Sequence, residues 1–200
     1  MADVVATPRK DDAMSVLSAI RSRRSVVKMK PDAVPHELIT ELLDAAVWAP
    51  NHRMTEPWQF FVLEGETKSR FAALRRDFRR VQMPNPDAPE VKPALEKIYR
   101  DALETPAIIV VTSALATDPE MREEDVWASY GAAYAFMLGA WSRGLGTYFR
   151  TGAFRDYPPL RQLLHLPEDR RIIGVIYAGY PADIPQRRRT PAAEKTVWLG

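Results

Sequence analysis

Apolar and polar residues fall into blocks along this chain, and each block has its own period. Residues 35–49 place Leu38, Ile39, Leu42, Leu43 and Ala46 on one stripe at helical spacing, which predicts an amphipathic helix. Pro35 suits its first turn, and Pro50 disfavours helix at Ala49. "QFFVLEG" (59–65) predicts a strand. Residues 67–82 predict a basic amphipathic helix with Phe71, Leu74, Phe78 and Val81 inward. The dense prolines of "MPNPDAPE" (83–90) break it, and helix resumes over about 90–104 with Val91, Leu95, Ile98 and Leu103. "AIIVVTS" (107–113) is an unbroken β-branched run, which predicts a strand buried on both faces.

A long helix follows over 120–143, with Asp118 as cap and Pro119 in the first turn. From Val126 onward it is apolar or small nearly all round, so it is expected to be central, with Trp127 and Trp141 in the core. Gly131, Ala135 and Gly139 recur every four residues and would let another backbone come close, and Gly144 is placed to cap the helix end. Residues 145–149 predict a short strand, 158–166 a short helix and 171–181 the last core strand. Nearer the start, 13–22 predicts a helix with Met14, Val16, Leu17 and Ile20 on its apolar side, followed by a basic stretch that ends at Pro31. Residues 1–12 lack the apolar core of a signal peptide and read as a flexible leader. The tail, 182–200, has no core pattern yet ends in Val197, Trp198 and Leu199, which packing on a second subunit would bury. The order predicts an α+β layer fold around about four strands. A doubly wound fold is disfavoured, because no glycine-rich turn opens a helix after the first strand.

Composition narrows the chemistry. Two hundred residues, 46% hydrophobic, suit one domain with an extension. The absence of cysteine excludes disulfides, thiolate metal sites and a cysteine nucleophile, and fits a cytoplasmic protein. No apolar run approaches the roughly 20 residues of a membrane span. The net charge of +2 hides two basic clusters, "RSRRSVVKMK" (21–30) and "QRRRTP" (186–191). Such clusters bind phosphate groups or are solvated surface charge, and no nucleic-acid-binding signature accompanies them. His36, His52 and His165 stand in separate contexts, and no G-x-S-x-G is present. A bound cofactor would therefore have to carry any difficult chemistry. Arg21, Arg23, Arg24 and Ser25 admit two readings. They form a phosphate site of guanidinium forks and a hydroxyl, or they decorate a helix end and complement its dipole. The loop Asn51–Glu56, between a helix and a strand, is likewise a functional loop or a polar connection.

Four stretches taken together go further. "RSRRS", "WAPNHRMTEPWQFFVLEG", "RGLGTYFRTGAF" and "GVIYAGYP", in that order between about 14 and 181, resemble the nitroreductase family, in its compact bacterial branch of FMN-dependent NAD(P)H oxidoreductases. The resemblance implies a three-layer α+β sandwich, with a mostly antiparallel central sheet flanked by helices. It also implies an obligate homodimer with FMN at the interface, a single FMN-binding domain over 13–181, and a C-terminal extension, 182–200, that packs on the partner. Arg23, Arg24 and Ser25 would hold the FMN phosphate and ribityl end. His52 matches the family histidine before the Pro-Trp pair, and Glu56, where glutamine is frequent, would come from the partner subunit. Phe149, Arg150, Thr151 and Gly152 match the second flavin segment, with the Gly152 N–H free to approach flavin N5. The implied activity is hydride transfer from NAD(P)H to flavin N5 and on to nitroaromatic, quinone or related small acceptors, with no protein residue required as catalytic acid and no metal, nucleic-acid or membrane partner. Other flavin reactions on the same scaffold, namely enone reduction, dehydrogenation or dehalogenation, and a non-catalytic flavin-binding regulatory module, are the alternatives.

Overall fold

In the computed structural model, which describes residues 14–200, one four-stranded sheet organises the chain. Strands β1 (Trp58–Leu63), β2 (Ala107–Ala114), β3 (Gly146–Arg150) and β4 (Arg170–Gly179) lie in the order β1-β2-β4-β3, and all three pairings are antiparallel. The expected leader, 1–12, lies outside the described residues.

The two central strands are covered on both sides, as the unbroken run at β2 demands. Ile109 and Val111 of β2 face helices α2 (His36–Ala46) and α5 (Pro119–Ser142), packing with Ile39, Leu42 and Phe136. Ile108 and Val110 face helices α3 (Gly65–Arg80), α4 (Lys92–Leu103) and α6 (Pro158–Leu163), packing with Phe71, Ala102 and Leu160. The result is a three-layer α+β sandwich. The pairing of β2 with β4 slips between Val111 and Thr112, whose partners are Gly174 and Ile172, so Ile173 is an extra residue. This bulge resets the alternation of β4.

Small residues let the layers close. A Cβ at Gly139 would sit 2.9 Å from Leu42 Cδ2, so α2 packs against the bare backbone there, whereas one at Gly131 would meet Ala49 Cβ at an ordinary 3.7 Å. Asp118 caps α5 by accepting the Met121 N–H at 2.8 Å. Gly144, at φ +79°, ends the turn beyond it.

Several expected positions differ. Helix α1 spans only Val16–Ser22 and buries Ala19, while Val16, Leu17 and Ile20 face outward. Helix α2 stops at Ala46, four residues before Pro50, in a run of turns. Val81 is 73% exposed because α3 ends before it, and α6 stops at Leu163. Trp127 is 62% exposed, unlike the fully buried Trp141: it lies on the side of α5 turned from the sheet. An outward apolar stripe and a central helix look alike in sequence, since periodicity does not say which partner covers a face.

A methyl group at Gly174 would strike the Phe149 ring and stand 2.9 Å from the Arg150 carbonyl oxygen. Gly174→Ala is expected to cost about 1–3 kcal/mol through overpacking, read as a lower melting temperature in calorimetry. An unchanged melting temperature would show that Phe149 swings away freely.

Candidate functional site

The first basic cluster leaves α1 as an extended segment and is pinned along an edge of the sheet. Ser25 bridges Thr147 of β3 in parallel, and the Val26 N–H donates to the Thr147 carbonyl at 2.9 Å. Met29 bridges Pro181, and the Lys30 N–H donates to the Tyr180 carbonyl at 2.8 Å. This path sets Arg23, Arg24 and Ser25 at one end of β3. Arg24 turns back, its Nη1 donating to the carbonyls of Arg21 at 2.7 Å and Arg23 at 3.0 Å, so it serves the helix end. Arg23 turns towards α5. Burial pulls its guanidinium below the ordinary arginine range, the Tyr134 hydroxyl opposes this, and Arg189 and Arg24 push it down further. The second basic cluster, in the tail, thus meets the first. Arg23 Nε and Arg24 Nε are buried with no hydrogen-bond partner, as is Thr147 Oγ1 beside them. Converging cations with unmet donors are suited to an anion.

Next to this segment a cleft of about 810 Å³ opens between α3, α4 and the sheet edge. Val27, Lys28 and Met29 form one border, with Phe78, Tyr148 and Tyr177 among its lining. A second hollow of about 380 Å³ adjoins it, lined by Phe149, Arg150, Thr151 and Gly152 among others. The two share Arg75, Phe78, Tyr148, Arg150 and Tyr177. The Arg150 guanidinium lies 5.2 Å from the Tyr148 ring centroid and 5.5 Å from that of Tyr177. Burial raises the Tyr177 pKa, against the pull of Arg75 and Arg150. The cleft is lined by several basic and aromatic side chains.

The loop before β1 lies elsewhere, against the start of α5. His52 Nδ1 is 2.7 Å from Glu124 Oε2, and the Thr55 hydroxyl donates to Asp125 Oδ1 at 2.7 Å. Asn51 Oδ1 accepts the Glu56 N–H at 3.1 Å. Arg53, Met54 and Glu56 all have positive φ, at 56°, 53° and 42°. Non-glycine residues in that region cost roughly 1–3 kcal/mol each and persist where the surroundings hold them. Here a buried aspartate holds them: Asp125 is 4% exposed.

Within one chain, then, Phe149, Arg150, Thr151 and Gly152 line a hollow, while Arg23, Arg24 and Ser25 line neither hollow and precede the stretch Val27–Met29 that borders the larger one. His52 and Glu56 are not brought to either hollow. Arg75, Tyr148 and Tyr177 escape sequence reasoning, and Arg189 is visible there only as part of the second basic cluster, with phosphate binding and solvated charge both open. Arg75 had left a trace: it falls among Phe71, Leu74 and Phe78 at helical spacing, a charge inside an apolar stripe. Among the described residues, no three His, Asp or Glu side chains are grouped to hold a metal, and no helix is long and apolar enough to cross a membrane.

Comparison with known proteins gives the same direction throughout. The profile of the Nitroreductase family matches residues 20–180. YfhC of Bacillus subtilis, provisionally named an NAD(P)H nitroreductase, is 30% identical over 88% of this chain and 90% of its own. The crystal structure of a nitroreductase-like family protein from Bacillus cereus superposes with a TM-score of 0.78 at 32% identity, covering 93% of this chain and 96% of that one. An iodotyrosine deiodinase, crystallised with FMN and 3-iodo-L-tyrosine, shares the fold at a TM-score of 0.70 and 21% identity, covering 88% of this chain and 96% of that one.

Thr55→Val keeps the side-chain volume but removes the donor to buried Asp125. The expected loss is about 1–3 kcal/mol, measured by urea denaturation. Unchanged stability would mean that the loop finds another anchor.

Proposed function

This chain belongs to the nitroreductase family, and from that premise we propose that it is an FMN-dependent oxidoreductase that takes hydride from NAD(P)H and reduces small nitroaromatic, quinone or related acceptors. The observation that carries this reading is the juxtaposition of two features. Arg23 and Arg189 converge beside unmet buried donors, and the segment that carries Arg23 runs on through Val27, Lys28 and Met29 to border an aromatic cleft that also holds Arg75 and Arg150. FMN asks for this combination: a doubly charged phosphate at one end and a planar ring at the other.

Arg23 and Ser25, helped by Arg189, would hold the phosphate, with Arg24 fixing the segment at the helix end. Phe149, Arg150, Thr151 and Gly152 would border the ring. A Cβ at Gly152 would meet nothing within 4 Å, so the glycine is open on its Cβ side, and the proposed reading has its backbone N–H approach the ring. His52 and Glu56 would reach the cofactor from the second subunit, on the loop that Asp125 anchors. When bound, FMN supplies the chemistry itself, accepting hydride at N5 and returning two electrons to the acceptor. The protein's part is to bind the phosphate, border the ring and exclude water. A cation such as Arg150 stabilises negative charge gained nearby, and a carboxylate such as Glu56 opposes it. Reducing a nitro group to nitroso consumes two electrons and two protons and releases water, one proton coming from solvent and hydride from NAD(P)H.

The dimer belongs to the same reading. Val16, Leu17 and Ile20 on α1, Trp127 on α5 and Val197, Trp198 and Leu199 in the tail are all exposed in the single chain. Apolar groups in such number are best covered by a second copy. Reductive dehalogenation is a second reading, favoured by the likeness to the deiodinase, and turnover of an iodophenol instead of a nitroarene would establish it.

Purified protein is expected to show flavin absorption, with FMN in its acid-released supernatant, and to oxidise NAD(P)H when a nitroarene or quinone is added. A colourless protein that takes up no added FMN would refute the proposal. Replacing Arg23 and Ser25 together by alanine should weaken FMN retention by at least about tenfold, as befits lost charge-assisted hydrogen bonds. Unchanged retention would move the phosphate elsewhere. Deleting residues 190–200 should yield monomers or insoluble protein; a stable flavin-loaded dimer lacking them would contradict the role given to the tail.

A further inference from the structure

Arg75 stands in the wall shared by the two hollows. It comes from α3, four residues after Phe71 and three before Phe78, on the side that faces the sheet. Its guanidinium lies 4.5 Å above the Phe154 ring. Burial lowers its pKa, Arg150 adds to this, and Tyr177 and Tyr148 oppose it, yet an arginine keeps its proton at neutral pH. Among the described residues, no carboxylate forms an ion pair with Arg75 or Arg150. Across the same cleft Lys97 is neutralised by Asp101 at 2.6 Å. Lys28 and Arg79 also line the cleft without a carboxylate partner among the described residues, but both are exposed to water, so the partly buried, unpaired cation of the cleft is Arg75, against the aromatic wall. An unpaired, partly dewatered cation is costly unless an anion meets it.

The phosphate of FMN does not meet that need in the reading above, because Arg23, Ser25 and Arg189 take it. We propose that Arg75 is a specificity-determining residue that binds the anionic group of an aromatic electron acceptor, a carboxylate or phenolate on a ring lying against Phe78 and Tyr148. This rests on the oxidoreductase function proposed above. A guanidinium fork matches a carboxylate with two parallel hydrogen bonds, and the neighbouring rings take the apolar remainder of the molecule. Anionic aromatics are then favoured over their neutral counterparts at equal size.

The test compares 4-nitrobenzoate with 4-nitrobenzamide as acceptors for the flavin-loaded protein. In Arg75→Met the ratio of kcat/KM for the carboxylate to that for the amide should fall about tenfold, the scale of one charge-assisted pair. Arg75→Lys, which keeps the charge but not the fork, should lose less. FMN retention should be the same in all three proteins. In the unmodified protein, benzoate should compete with the acceptor and benzamide should not. An unmoved ratio, equal inhibition by benzoate and benzamide, loss of FMN from Arg75→Met, or a rise in KM for NAD(P)H instead of the acceptor would each overturn the proposal. A protein that binds no FMN and turns nothing over would refute the oxidoreductase reading by itself. Calorimetric titration with benzoate then decides the arginine site: binding that disappears in Arg75→Met supports it, and equal or absent binding overturns it.

Discussion

Everything in this structure depends on a strand that cannot touch water on either face. Strand β2 is buried from Ala107 to Ser113, so it needs a paired neighbour on each edge and a helical layer above and below. β1 and β4 supply the edges. α2 and α5 supply one layer and α3, α4 and α6 the other. Once those demands are met, β3 is left as an edge strand, and the extended segment after α1 lies along it. An edge strand with an unfinished neighbour is where a sandwich leaves room, and the cleft opens there.

Charge decides what such room can hold. Two basic stretches more than 150 residues apart in sequence meet at Arg23 and Arg189. Like charges do not gather without compensation, and here burial adds to their cost. The aromatic wall beside them, with its own arginines, continues the same character into the cleft. Positive charge and aromatic rings thus gather along one edge of the sheet.

The loop that the proposed reading assigns to the second subunit is built differently. The loop from His52 to Glu56 holds three non-glycine residues at positive φ, far from the cleft of its own chain. It is held by Thr55 on buried Asp125 and by His52 on Glu124. Strain kept in place by polar contacts to the start of α5 suits a loop presented outward. The exposed apolar residues of α1, α5 and the tail lie on surfaces that one chain leaves uncovered. Both observations agree with a site finished by a second copy.

The sequence by itself determined the elements and their class. Among the described residues, apolar spacing located each of the four strands and six α-helices to within a few residues, because burial of a stripe or a run is a local requirement written into neighbouring positions. Four short motifs, read together, were enough to point to the family and to Phe149–Gly152 and Arg23–Ser25. The tertiary structure alone decided which faces are covered and which charges meet. Trp127 and Trp141 sit on one helix in similar company, yet one is exposed and the other buried, because only packing chooses the side. Arg75 reads as one surface cation among many and Arg189 as part of a basic cluster with two possible roles; folding of α3 set the first in the cleft wall and folding of the tail set the second beside Arg23. Electrostatic interaction depends on distance in space, and a linear sequence carries distance only along the chain.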